Sequence, residues 1–329
     1  MQLYTKTQIT PFNEKIDHTT PIFSIGSCFA NNIAERLAGA KFKVCASPTG
    51  ILFNPESIAL TLERLGSLLA GDSKALPTID ELLYDNGAWF HYDFHSSFSR
   101  PSAEETLQQI HAAITDGANS LQEAKVVIIT FGTAMTYRHI ESGRIVANCH
   151  KQPQRLFNRQ MMGVEEIADR YVKLCNGLLK GKRVIFTVSP IRHLSDGLET
   201  NSLSKATLRV SLSLVAQRCD NVVYFPSFEI MNDELRDYRF YADDMAHPTP
   251  LAINYIWERF TESAMSAETQ QLITRIGQIT TAAAHRPFNP ESEQHKLFCH
   301  KLMEQIDALQ TKHPQLDFSE EKGYFSRYL

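Results

Sequence analysis

The 329-residue chain has no apolar run of about eighteen residues, so nothing in it reads as a membrane-spanning helix and no membrane partner is expected. Its first twenty residues, MQLYTKTQITPFNEKIDHTT, hold no apolar h-region, and a secretory signal is not expected either. Charge of one sign is scarce. The net charge of −4 gives no electrostatic reason to look for nucleic acid or an anionic surface as partner. No GxGxxG follows a strand-like run, and no GxxxxGK followed by Ser or Thr occurs. Dinucleotide and P-loop nucleotide binding are thus unsupported, and no cofactor is expected. The six cysteines, Cys28, Cys45, Cys149, Cys175, Cys219 and Cys299, form no CxxC pair and share no regular spacing. With no export signal, they read as reduced thiols in a cytoplasmic setting, most of them small hydrophobes in the core.

What is present is a globular composition, 43% hydrophobic and 21% charged, long enough to bury a full core. Four apolar runs read as buried strands: Ile22–Ile25, Lys125–Phe131, Arg183–Val188 and Asn221–Phe225, with a shorter fifth at Phe42–Ala46. They do not alternate apolar with polar, which predicts strands covered on both faces and hence a parallel sheet. Helical patterns lie between them at Ala30–Leu37, Glu56–Leu69, Ala103–Ile114, Val164–Leu179 and Leu203–Arg218. Alternating strand and helix predicts a doubly wound α/β fold, a three-layer α/β/α with a five-stranded parallel sheet.

Two connections exceed the usual length and read as insertions, near residues 70–102 and 133–162. The second carries Ser142-Gly143 between strand-like halves, which suits a hairpin. After a helix at Pro250–Met265, the tail reads as amphipathic helices at Ser266–Gly277 and Glu291–Gln310, broken by HRPFNPE. Leu297, Leu302, Ile306 and Leu309 fall at helical spacing and are expected to pack on the core or on a second subunit, so a homo-oligomer stays open. The expected organisation is one domain over residues 1–265 and a helical extension over 266–329 packed on it.

Two stretches carry chemistry. In PIFSIGSCFANNIAERL the first strand ends at Gly26 and passes through Ser27 and Cys28 into a helix. The carboxyl ends of parallel strands are where ligands bind, and a helix N-terminus there favours an anion, so a thiol would lose its proton more readily. The bland alternative is a turn glycine, a capping serine and a small buried cysteine. In YADDMAHPTP, Asp244 and His247 stand three apart on a loop before a helix. That spacing lets a carboxylate hold one imidazole nitrogen while the other faces a nucleophile. The alternative is a solvated loop with an aspartate cap.

A GxS-like turn after the first strand, with DxxH after the fifth, resembles the SGNH/GDSL hydrolase superfamily. The string GSCFA, with GILFNP, NCHKQP, SPIRH and DELRDYRFYADDMAHP, resembles its bacterial GSCFA family, from about Phe23 to Phe260. The resemblance implies an SGNH-like (flavodoxin-like) fold and a hydrolase or acyltransferase, acting on a small-molecule or carbohydrate ester. By register against Gly-Asp-Ser, the nucleophile is Cys28; a slip of one residue makes it Ser27. His247 would be the base and Asp244 its orienter. Gly50 resembles the second block's oxyanion donor. The third block's asparagine is absent, because Ala134 stands in GTAM, and Thr133, Asn54 or Asn148 are the candidates to replace it. His150 and His193 are further candidates to bind substrate at the mouth of the site.

His91, His95, Cys149 and His150 are metal-ligating by type, but their spacing matches no usual zinc pattern, and no metal is expected. Two other functions remain open at this level: a ligand-binding protein on the same scaffold that has lost its chemistry, and a redox protein reacting at Cys28.

Overall fold

Residues 4–329 are described by the structure, a computed structural model. Residues 1–3 of the expected first domain lie outside them. β1 (Ile22–Gly26) is buried along its whole length and hands over through Ser27 to α1 (Cys28–Gly39), followed by β2 (Val44–Ala46). α2 (Pro55–Leu69) opens on proline, whose missing N–H costs nothing at a helix start, and Asn54 caps it by accepting from Ser57 N at 2.8 Å. The first insertion holds a hairpin of β3 (Leu83–Asp85) and β4 (Ala88–Phe90). Its turn, Asn86-Gly87, has φ of +49° and +82°, the left-handed pair that a two-residue hairpin requires.

α3 (Ala103–Glu123) leads to β5 (Val126–Phe131). The second insertion is a three-stranded antiparallel sheet of β6 (Met135–His139), β7 (Ile145–Val146) and β8 (Phe157–Met161), with Ser142-Gly143 in the β6–β7 turn as expected. Then follow α4 (Val164–Asn176), β9 (Arg183–Val188), α5 (Leu198–Arg218), β10 (Val222–Tyr224) and α6 (Ser227–Glu229), which continues as a π turn through Ile230–Glu234. α7 (Pro250–Ala264), α8 (Ala267–Ala284), α9 (Glu293–Lys312) and α10 (Ser319–Phe325) complete the chain.

The central sheet runs β2-β1-β5-β9-β10, all parallel. Counting parallel strands alone, the order is 2-1-3-4-5, and the direction of winding reverses between β1 and β5. Strand side chains divide between two faces, as a period of two demands. Phe23, Ile25, Val127, Ile129, Phe131, Val184, Phe186 and Val188 pack with α2, α3, α4 and α5. Ile22, Val126, Ile128 and Ile185 pack with α1, α7 and the π turn. The expected three-layer α/β/α is what forms.

Two helices run longer than expected. α3 was expected over Ala103–Ile114 and continues to Glu123; within it Gly117 is small because the Pro48 side chain lies where a Cβ there would be. α8 continues past Gly277, which faces open space. The tail builds its own core from Leu272, Ile276, Cys299, Leu302, Ile306, Leu309, Phe318 and Phe325. Leu297 is not in it and is 68% exposed; the stripe on α9 runs through Cys299 instead. Lys41, in the turn after α1, reaches Glu321 at 2.7 Å and lies over the Phe318 ring, joining this core to the sheet domain. Among the described residues no helix is long and apolar enough to cross a membrane.

Candidate functional site

Gly26 ends β1 with φ +143°, and a side chain there would overlap Thr130 O of the neighbouring strand. Only glycine fits. Ser27 N then donates to Thr130 O at 3.1 Å, while Leu52 N donates to Gly26 O, and Gly132 N and Thr133 N both donate to Phe53 O. The loops after β1, β2 and β5 are thereby laced together by main-chain bonds.

Ser27 occupies the N-cap position of α1 by backbone conformation, yet its hydroxyl caps nothing. It is 2% exposed and its Oγ has no hydrogen-bond partner. Such an orphan is uncommon in a folded protein. Its Cβ lies 3.2 Å from the point where a side chain on Gly132 would begin, and Phe53 O (3.0 Å) and His193 Nε2 (3.3 Å) surround the same point. Cys28, the first residue of α1, packs instead toward the α1–α7 face, beside the cluster that holds Tyr241 and Ala252. Burial pushes its thiol pKa up, and the pull of its own N–H at the helix start is the smaller effect. The expected drift toward thiolate is therefore reversed: desolvation outweighs the helix terminus.

Asp244 and His247 form the pair their spacing predicts. Asp244 Oδ1 accepts from Ala246 N and His247 N, each at 2.9 Å, and Oδ2 meets His247 Nδ1 at 2.6 Å. These main-chain bonds, with the imidazole, hold the carboxyl down at about pKa 2. Met245, at φ +57°, closes the loop, and Arg192 N ties it to the loop after β9 through Ala246 O. Among the described residues His247 Nε2 makes no hydrogen bond, and none joins the ring to Ser27 Oγ or Cys28 Sγ.

Of the six candidate binding residues, four meet at one cavity of about 260 Å3: Asn54, Thr133, Asn148 and His193, with Phe53 and Tyr137 among its other walls. Gly50 does not join them. Its N–H is engaged by Ser47 O at 2.7 Å, and its φ of +87° serves a turn packed on His95. His150 is also outside: its Nε2 bonds the carbonyls of His91 and Phe94, and its ring stacks on Phe90, which stitches the two insertions together. His91 Nδ1 accepts from Asp93 N, and His95 Nδ1 meets Ser97. Among the described residues no three His, Cys, Asp or Glu side chains converge to hold a metal.

The group that braces this edge lies on the buried face of α5 and is one that sequence reasoning missed. Asn201 Oδ1 accepts from His193 N, Ser204 Oγ accepts from Ala134 N and bonds Thr133 Oγ1, and Lys205 Nζ donates to Gly132 O at 2.6 Å and Ser189 O at 2.7 Å. Lys205 is 1% exposed with no carboxylate beside it, and burial pushes its pKa down to about 7. Burial, reinforced by that amine, pushes His193 down to about 4. Residues 201, 204, 205 and 208 share one helix face, but three of the four are polar, so no apolar stripe marks that face as buried.

Comparison with curated proteins and with solved structures gave no match. Two family descriptions do match. "GSCFA domain protein, C-terminal domain" covers residues 276–329, the part with its own small core. "GSCFA family" covers residues 21–260, from the threshold of β1 into α7, and includes Gly26, Ser27, Cys28, Asp244 and His247. With some three-quarters of its length matched in that way, the chain belongs to the GSCFA family.

Proposed function

We propose that the chain is an acyl-transfer enzyme, a hydrolase or acyltransferase acting on a small-molecule or carbohydrate ester, in keeping with its likeness to the SGNH hydrolases. One observation carries this: Asp244 fixes His247 through Nδ1 at 2.6 Å and leaves Nε2 free, on the sheet edge where Ser27 and Cys28 open α1. His247 Nε2 takes the proton of Cys28 Sγ, or of Ser27 Oγ, as that atom attacks the ester carbonyl carbon. The tetrahedral oxyanion collapses, the bond to the alcohol oxygen breaks, and His247 returns the proton to that oxygen. Water, or a second alcohol, then gives its proton to His247 and attacks the acyl-enzyme. The acid or new ester leaves, and the nucleophile recovers its proton. The Cys28 N–H, one of the orphan donors at the start of α1, and the Asn54 carboxamide are the donors suited to the oxyanion.

A ligand-binding protein that has lost its chemistry is the second reading. Two observations favour it: His247 is bonded to neither nucleophile candidate, and the Gly50 N–H is engaged by Ser47 O. Intact-protein mass spectrometry after brief exposure to a small activated ester, on wild type beside His247→Ala, separates the two. A His247-dependent acyl mass mapped to Cys28 is the expected result, and the same mass on Ser27 moves the nucleophile by one residue. No His247-dependent adduct on either residue would discard the enzyme for the binding protein.

A further inference from the structure

The cavity beside Ser27 has a wall whose chemistry is more specific than its size. At about 260 Å3 it falls below the roughly 300–1,000 Å3 that encloses a drug-sized ligand, so it suits one ring or a short chain. Its one carboxylate, Asp196, is paired with Arg159. His193 is neutral near pH 7, and burial lifts the Cys149 thiol to about 11, so that wall is neutral too. No unpaired cation lines it. A phosphate or carboxylate placed there would lose its water without gaining a counter-charge.

The polar groups left over are mostly donors. Asn54 Oδ1 is engaged by Ser57 N and Asn148 Oδ1 by His150 N, each at 2.8 Å, and among the described residues neither NH2 group has a hydrogen-bond partner. The Tyr137 hydroxyl has none either, whereas Thr133 Oγ1 is engaged by Ser204 and Met135 N. An alkyl chain filling this space would strip those donors of water and leave them unpaired. Hydroxyl and ring oxygens satisfy them, and the Phe53 and Tyr137 rings offer flat apolar surface to the C–H face of a saturated ring.

Building on the acyl-transfer reading above, we infer that this cavity seats the alcohol side of the ester, as an uncharged, hydroxyl-rich group the size of one sugar ring. Asn148 and Tyr137 hold its oxygens, and Asn54 stands between this seat and the reacting carbonyl. The seat excludes sugar acids, sugar phosphates and long acyl chains by the same features that admit a neutral sugar.

The test uses the full-length His247→Ala chain, labelled with 15N at asparagine, and three probes: an O-acetylated methyl glucopyranoside, the same acetate of the methyl glycoside of glucuronate with its carboxylate free, and ethyl hexanoate. The neutral acetate is expected to shift the Asn54 and Asn148 NH2 signals and to bind at least tenfold more tightly than either of the others. Asn148→Asp keeps the oxygen that accepts from His150 N but adds a charge, and is expected to weaken the neutral acetate at least tenfold with thermal unfolding unchanged. Equal or tighter binding of the glucuronate or the hexanoate overturns the inference, as does binding of the neutral acetate without movement of either asparagine signal. The two readings fail separately. Sugar binding without any acyl adduct in the wild type removes the enzyme and keeps the seat, while an adduct without sugar binding removes the seat alone.

Discussion

Gly26 ends β1 and Gly132 follows β5 on the same sheet edge, and each is small for a different reason. At Gly26 both φ and the Thr130 carbonyl forbid a side chain, so Gly26→Ala is expected to cost at least ~2 kcal/mol in chemical denaturation. At Gly132 the neighbours stand off at 3.0–3.3 Å, and Gly132→Ala is expected to fold while shifting the His193 ring signals in NMR. Lys205 makes a prediction in pH. Its amine titrates near 7 in the fold against 10.5 when free, so between those values the unfolded chain holds more protons. Stability linked to Lys205 therefore rises with pH across that window, and below pH 7 the full cost of the buried charge remains. Denaturation at pH 7 to 9.5 should show the wild type gaining on Lys205→Met by about 1.4 kcal/mol per pH unit at the steepest. Equal slopes would mean the amine is not held as described.

At the scale of elements, α5 braces the loops after β5 and β9 through three polar side chains on its buried face. Ser204→Ala removes only the hydroxyl and leaves Ala134 N–H without its acceptor. The expected loss is ~1–3 kcal/mol by denaturation, with faster amide exchange at residues 132–134. The strands and most helices were legible because continuous β-branched runs and the 3.6-residue period are local signals. So were the Gly26 turn and the Asp244–His247 pair, whose partners are two or three residues apart. The brace was not legible, since nothing local marks Lys205 as buried when both its acceptors lie on other elements. The β3–β4 hairpin is marked in the sequence only by Asn86-Gly87, since strands of three residues are too short to show an alternation. Gly50 was not legible as a donor: a glycine after the second strand says nothing about whether its N–H is free, and Ser47 O answers that only in three dimensions.

At the scale of the molecule, the described residues form three clusters of buried side chains, two on the faces of the sheet and one inside the tail. The tail meets the sheet domain through the largely buried Lys41–Glu321 pair. Removing one partner of such a pair strands the other, so Glu321→Gln is expected to cost roughly 2–3 kcal/mol and to make residues 285–292 more open to proteolysis. The topology also has a consequence for synthesis. β1 is the second of five strands across the sheet but the first to be made, and its central partner β5 begins 104 residues later, counting from Ile22 to its register mate Val126. At about 5–20 residues per second, the ribosome leaves that apolar strand with only short β2 to pair with for roughly 5–20 s. During that interval the edge that will carry Ser27 and Cys28 is an unpaired strand end, and it is there that a chaperone would have most to cover.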